Sequence, residues 1–516
     1  MTNLLLGYDI GSSSIKATLM EAETGNVIAS ATSPKKELEI IVQRPGLAEQ
    51  NPETWWEHVK LATRELQEKV GDEINLKNEE VSIGISYQMH GLVIVDNQKR
   101  LLRNSIIWCD SRAVEIGMKA LRDIGPELCL EHMLNSPGNF TASKLKWVKD
   151  NEPDIYKHIH KAMLPGDYIA MKMTDKIVTT PSGLSEGIMW DFKNKSISCM
   201  VLSNYGISGD LIPDIVDTFS IQGELTKAAA EELGLKAGSK ISYRAGDQPN
   251  NALSLNVLNP GEVAATAGTS GVVYGVSDKM DYDKQSRVNT FAHVNYSPEN
   301  PMYGVLLCLN GCGILNSWLK HQMMEEGKDY PQMNELASQV PIGSEGLVML
   351  PYGNGAERTL ENRNIGASVH GWNLSIHKKQ HFLRAAQEAI VFALNYGLEI
   401  MKDVGVSPEK IRAGNANMFL SPLFCEAFAN TTGAEVTLYN TDGSQGAARG
   451  AGLGAGIYLL LEGMFFGLEP VNVVEPTKAL KGPYQEAYQQ WKDTLRSNLQ
   501  YAGRKPTHIV DMHMGR

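Results

Sequence analysis

The chain opens with an apolar run, Leu4-Leu5-Leu6, that ends in Tyr8-Asp9-Ile10, crosses Gly11 and three serines, and resumes as alternating Ile15, Ala17 and Leu19. Alternation on both sides of a Gly-hydroxyl turn predicts a β-hairpin. The pattern returns at residues 263–274, where a β-prone run passes Gly268-Thr269-Ser270-Gly271 and continues as Val272-Val273-Tyr274. The two turns lie about half the chain apart. That recurrence predicts two domains of like topology, each opening on a hairpin whose turn faces a common cleft. The boundary is expected at Asn259-Pro260-Gly261, giving a first domain at 1–258, a second at 259–470 and a C-terminal helical extension at 471–516.

Between the hairpins the periodicity alternates. Residues 81–86 and 91–96 predict strands, and Trp55, Val59, Ala62 and Leu66 mark the apolar face of a helix over 52–70. In the second half the pattern predicts a long helix over 382–404 closed by Gly405. A terminal helix is expected past Pro483, with Tyr484, Tyr488, Trp491, Leu495 and Leu499 on one face. Strands interleaved with helices place the chain in the α/β class.

Composition narrows the function classes. A chain of 516 residues exceeds one hydrophobic core, in keeping with two domains. The formal net charge of −11, with no basic block, excludes nucleic acid as the main partner, since phosphate-backbone binding needs clustered Lys and Arg. Six scattered cysteines predict buried free thiols in a reducing compartment, and Cys308 and Cys312 have no second Cys or His pair at zinc spacing. No basic region followed by an apolar core stands at the N-terminus, so no signal peptide is expected. The uncharged stretch 450–461 is shorter than the roughly 20 residues of a membrane span, so it predicts a packed helix rich in small residues. No membrane association and a cytoplasmic location are the expectation.

Four places have the composition of a site. Successive backbone N–H groups in the two glycine turns suit an anion, although each turn alone fits an ordinary β-turn. Nothing matches G-x-x-x-x-G-K-[ST]. Asp247 follows a strand over 240–246 and starts a helix, as an N-cap or as a carboxylate placed to accept a hydroxyl proton. Tyr87-Gln88-Met89-His90-Gly91 interrupts two strands, and a lone histidine there is most simply structural. Glycine-rich turns at 413–417 and 442–448 permit close approach of a flat ligand, or close helix packing.

Taken in order, these segments resemble the FGGY carbohydrate kinases, and among them the xylulokinase branch. The opening hairpin is similar to the family's D-x-G-T/S-S/T phosphate turn, and 46–56, GLAEQNPETWW, to its W-x-E-Q-D-P-x-x-W-W segment. Gln88-Met89-His90-Gly91 matches the Q-M-H-G segment of the xylulokinase branch. Segments 107–112, 140–147 and 164–169 also match, Gly246-Asp247 resembles the G-D-N segment bearing the catalytic base, and 268–271 the second phosphate turn. Two departures stand out: Gln248 replaces the usual Asn, and the nucleotide turn is A-G-N-A-N where the pattern is nearer G-G-G-A.

The resemblance implies an actin-like ATPase fold, two ribonuclease H-like domains around a cleft that holds ATP, Mg²⁺ and sugar. It implies transfer of the γ-phosphoryl group to D-xylulose, with L-ribulose, gluconate or glycerol as alternative acceptors and a non-catalytic sugar sensor as the rival class. Asp247 becomes the general base, its ionised form favoured by the helix start. Asp9 becomes the second catalytic acid, acting through Mg²⁺ and its waters. Met89, His90, Asp247 and Gln248 are the substrate-binding candidates. Gly11, Ser12 and Ser13, then Gly268 and Thr269, then Gly414, Asn415 and Asn417, are the ATP-binding candidates. The terminal helix is left two roles, capping the second domain or building a homodimer interface.

Overall fold

The computed structural model describes residues 3–502. The first lobe is built on strands β1 (Leu4–Ile10), β2 (Ile15–Glu21) and β3 (Val27–Ser33), helix α1 (Pro52–Val70) and strand β4 (Val81–Tyr87). There follow helices α2 (Thr141–Asn151) and α3 (Pro181–Glu186), strands β5 (Phe219–Glu224) and β6 (Lys240–Gly246), and helix α4 (Asp247–Ser254). The second lobe carries β7 (Val263–Ala267), β8 (Gly271–Ser277), β9 (Asn289–Ala292) and β10 (Tyr303–Leu309). Helices α5 (Gly313–Met323) and α6 (Lys379–Asp403), strands β11 (Lys410–Gly414) and β12 (Glu435–Tyr439), helix α7 (Gly443–Gly454), strand β13 (Pro470–Val474) and helix α8 (Lys478–Ala502) complete it.

The two sheets share one plan. In the first, β1, β2 and β3 form an antiparallel meander, β4 and β6 extend it in parallel beyond β1, and β5 closes the far edge antiparallel. In the second, β7, β8 and β10 form the meander, β11 and β12 extend it in parallel, and β13 closes the edge antiparallel, with β9 added outside β10. This is the duplicated two-lobed α/β architecture that the resemblance implies. Parallel strands demand crossover helices, which is why helical periodicity falls between them in the sequence.

Local chemistry sets the element ends. Helix α1 starts where the Asn51 side chain accepts from the Glu53 N–H, buries Trp55, Val59, Ala62 and Leu66, and stops at Gly71 with φ 66°. The apolar face of α8 is used up within the second lobe, where Tyr484, Trp491 and Leu495 enter the same core as Ile390 and Leu394 of α6. That helix begins at Lys478, earlier than expected, with Pro483 inside it. Three other expectations change. The strand over 91–96 shrinks to Val93–Val95, paired with Lys161–Met163 outside the main sheet. The helix expected over 450–461 ends at Gly454, because Gly456 turns left-handed at φ 75°, and Leu459 and Leu460 are exposed. Of the cysteines only Cys129, Cys312 and Cys425 are buried, while Cys109 and Cys199 are exposed. No described helix is long and apolar enough to cross a membrane.

Helix α7 belongs by sequence to the second half, yet it lies on the sheet of the first lobe. A Cβ on Gly7 of β1 would collide with the Ser444 carbonyl oxygen, and one on Gly84 of β4 with that of Ala447. From the helix side, Gly450 rests on the Tyr243 ring, where an added Cβ would stand 2.6 Å from Cγ. Strand and helix thus meet at backbone contact, which only glycine allows. Gly84→Ala is expected to lower stability by at least about 2 kcal/mol, because the obstacle is backbone rather than a movable side chain. Gly209→Ala, which faces open space, should stay within about 0.5 kcal/mol. Urea unfolding midpoints of the two variants check the contrast.

Candidate active site

Strand register brings the first-lobe residues together. Ile10 of β1 and Gly246 of β6 both pair with Tyr87 of β4, so Gly11, Gln88 and Asp247 leave the sheet at one level. All three strands run parallel, and their C-terminal ends face the cleft, the place where open α/β sheets put ligands. One residue back in that register, Ser86 donates its hydroxyl to Asp9 Oδ1 at 3.0 Å.

Asp247 is the first residue of α4. The cap is Gly246, and no side chain caps the helix, so the N-cap reading of Asp247 does not hold. The expectation that the helix start favours its ionised form is also overturned. Burial, and then the like charge of Asp9, raise its pKa from 3.8 to about 7, while the Gln248 amide, donating from Nε2 to Asp247 Oδ2 at 3.3 Å, pulls the other way. Loss of hydration outweighs one helix end here. Asp9 rises to about 6 through burial and the Asp442 charge, opposed by the Ser86 hydroxyl and by Lys16.

Asp442 caps α7, accepting from the Ser444 and Gln445 N–H groups, and forms an ion pair with Lys16 of β2. Despite burial, that lysine and the capping bonds keep it below the usual carboxylate range. Gly443 leaves room for Asp9, whose Oδ2 lies 2.5 Å from where a Cβ would stand. Asn250 of α4 donates to the Gly443 carbonyl at 2.8 Å. The acid of the first hairpin thus meets the glycine-rich turn of the second half.

On the other side of Asp247, the Met89 side chain packs on Gly246 together with Glu186 of α3. Glu186 is buried; its carboxylate accepts from the Tyr87 hydroxyl at 2.6 Å and from the His90 N–H at 3.2 Å. Burial holds its pKa well above the ordinary value. His90 has a left-handed backbone, φ 62°, and its Nδ1 lies 2.9 Å from the Glu186 carbonyl. A carbonyl only accepts, so Nδ1 carries the proton and Nε2 is left as an acceptor. Burial, then the Lys144 charge, lowers the His90 pKa to about 3, which keeps the ring neutral. Lys144 of α2, itself buried, donates to the His90 carbonyl at 2.7 Å and to that of Ile107 at 3.0 Å. The ring contacts Phe140 at 4.8 Å and Phe291 of β9 at 5.6 Å between centroids. His90 is therefore locked by both lobes. Arg358 of the second lobe lies over Phe140 at 5.8 Å, with no carboxylate partner among the described residues.

The turn at 268–270 sits against α5, whose first amides donate from Gly313 to the Gly268 carbonyl at 2.9 Å and from Ile314 to that of Thr269 at 3.2 Å. A cavity of about 570 Å³ opens beside it, with Gly268, Thr269, Asn316, Tyr330 and Asn417 in its wall. Asn316 Oδ1 is buried there without a partner. Gly414 ends β11 and Asn415 follows it, both outside that wall, with the Asn415 N–H held by the Tyr439 carbonyl at 2.8 Å. In the first turn the Ser12 hydroxyl accepts from the Trp108 indole at 3.3 Å, and the Ser12 and Ser13 carbonyls accept from Gln50 and Leu38, while Gly11 donates to the Ser14 carbonyl. Gln248 Oε1 is buried and unpartnered beside Asp247. Lys16, Lys144, Glu186 and Arg358 were missed in the sequence. Only the 140–147 match, which contains Lys144, gave any signal of them.

The family model of the FGGY carbohydrate kinase N-terminal domain matches residues 4–254, and that of the C-terminal domain matches 263–458. The xylulose kinase of Bacillus subtilis (strain 168) is 29% identical over 471 residues, covering 89% of each chain. A crystal structure of xylulose kinase from Rhodospirillum rubrum superposes with TM-score 0.87 at 24% identity, over 97% of this chain and 100% of that one. Gluconate kinase from Lactobacillus acidophilus superposes equally well, TM-score 0.87 at 22% identity over 98% and 99%.

The raised pKa of Asp247 has a stability consequence. The folded chain holds this proton up to about pH 7 while the unfolded chain releases it near pH 4, so the site costs stability as pH rises through that window. Asp247→Asn removes the buried charge. Its melting temperature relative to the parent should therefore be higher at pH 8 than at pH 5, and an equal difference at both values speaks against the shift.

Proposed function

Because the chain belongs to the FGGY family of carbohydrate kinases, ATP-dependent sugar kinases, we propose that its acceptor is D-xylulose, phosphorylated on the terminal hydroxyl to D-xylulose 5-phosphate. The observation that carries this reading is the packing of Met89 and His90 beside Asp247 at one end of three parallel strands. The similarity to curated xylulose kinases over most of the chain supports it.

Asp247 accepts the hydroxyl proton. A base of pKa about 7 is ionised in half the molecules at neutral pH and is basic enough to take a proton that leaves late in phosphoryl transfer. His90 Nε2 accepts from a sugar hydroxyl, and the Gln248 carboxamide supplies a second acceptor in Oε1. Gly11, Ser12 and Ser13 serve the phosphates from one lobe, Gly268 and Thr269 from the other, and Gly414, Asn415 and Asn417 the adenosine end. Arg358 adds positive charge from the second lobe.

The fit to Mg²⁺ rests on the donor set. The Asp9 charge adds to the cost of ionising Asp247, and neither carboxylate has an ion-pair partner among the described residues, Lys16 being committed to Asp442. No cluster of three or more protein ligands stands among the described residues, which suits an ion held by one or two carboxylates and substrate phosphates. Asp9 would hold it through water, and it would neutralise charge on the phosphate oxygens. A cytoplasmic location belongs to the same reading, since free thiols at Cys109 and Cys199 are exposed.

ADP release with D-xylulose, L-ribulose, gluconate and glycerol tests the acceptor. Strong stimulation by D-xylulose is expected, and stimulation by another acceptor alone overturns the choice of sugar. Asp247→Ala should lower kcat by about 10²- to 10⁴-fold in a folded protein. In Asp247-intact enzyme, kcat/KM should fall below about pH 7 with a one-proton slope, and a flat profile from pH 5 to 8 speaks against this base. His90→Ala should raise KM for the sugar about tenfold or more while leaving KM for ATP within about twofold, as steady-state kinetics would measure.

A further inference from the structure

A second cavity, of about 830 Å³, opens on the second lobe between α5, the hairpin of Val348–Tyr352 with Gly366–His370, and the start of α6. Its volume lies in the range of small-molecule sites. Trp318, Leu350, Val369, Trp372 and Phe382 make an apolar wall, and Trp372 meets Phe382 edge-on at 5.2 Å. Trp318 is 55% and Trp372 57% exposed, which leaves two indoles open to solvent on one surface.

The charge on this wall has one sign. Lys378 and Lys379 line it, no acidic side chain does, and neither lysine has an ion-pair partner among the described residues. Both stand at the first turn of α6, which has no acidic residue. Lysines there add to the positive end of the helix dipole instead of offsetting it, an arrangement unfavourable by itself and favourable to an anion.

The cavity shares a helix with the nucleotide side. Ile314 of α5 lines both this cavity and the one beside Gly268 and Thr269, and the first amides of α5 are bonded to that turn. A ligand wedged against Trp318 therefore bears on the element that fixes the second phosphate turn.

We propose that this cavity binds an amphipathic anion, an apolar body seated between Trp318 and Trp372 with a carboxylate, phosphate or sulfonate at Lys378 and Lys379, and that its occupancy is coupled to the nucleotide site. The probe is 8-anilinonaphthalene-1-sulfonate, titrated into the intact protein with tryptophan-to-probe energy transfer as the signal and dodecanoate as competitor. One saturable site per chain is expected. Binding should weaken at least tenfold in the doubly substituted Lys378→Glu, Lys379→Glu protein and separately in Trp318→Ala, while basal sugar-stimulated ADP release persists. Saturating ADP should shift the probe affinity at least threefold, with the probe shifting ADP affinity by the same factor. Non-saturable binding, or binding indifferent to charge reversal, overturns the site. Equal affinity with and without ADP overturns the coupling. If light scattering shows that the chain dimerises and that the probe binds only the monomer, the surface is an interface between copies and the ligand proposal fails.

Discussion

Backbone contact between α7 and the first sheet is the constraint on which the rest of the structure depends. Gly7 and Gly84 sit on adjacent parallel strands, and their bare Cα atoms let the Ser444 and Ala447 carbonyls descend onto the sheet. Only at that depth does the start of the helix arrive at Asp9, with Gly443 against the carboxylate and Asp442 on Lys16. A larger residue at either strand position would lift the helix and take the cap, the ion pair and the electrostatic setting of Asp9 with it. Packing and chemistry are therefore fixed by the same small residues.

Electrostatics in the cleft follow from how little compensation is provided. Lys16 is spent on Asp442, Lys144 on two backbone carbonyls, and Arg244 on Asp167. The carboxylates of Asp9, Asp247 and Glu186 are left near one another in a partly dry space, and each is driven toward its protonated form. Buried acids sharing like charge in this way are the arrangement expected where a protein binds or reacts. His90 is held the opposite way, neutral, with its proton assigned by a backbone carbonyl.

Much of this was legible in the sequence because it was written in short-range chemistry. Both hairpins, helix α1 and the strand that leads into Asp247 follow from period and punctuation, and the ordered motifs carried the family. What escaped was set by long-range contact. The ionisation of Asp247 depends on Asp9, more than two hundred residues away, and on the burial of both, which no local pattern encodes. Glu186 is a glutamate at the end of a short helix, unremarkable until Tyr87 and His90 are brought to it. The small-residue stretch from 450 was correctly a packing signal, but glycines that permit close approach also permit a left-handed exit, so its end at Gly454 was not readable.

The return of α7 to the first lobe also bears on how the chain can be divided. A fragment ending near residue 258 would contain every strand of the first sheet and still leave the glycine-bearing face of β1 and β4 bare, since the helix that covers it comes from almost two hundred residues further on. The complementary fragment would carry that helix with its small-residue face unpartnered. Cleavage in the connecting segment would then yield two pieces that stay associated, and the halves of this duplicated fold, though alike in plan, could not be exchanged between proteins as self-sufficient cassettes.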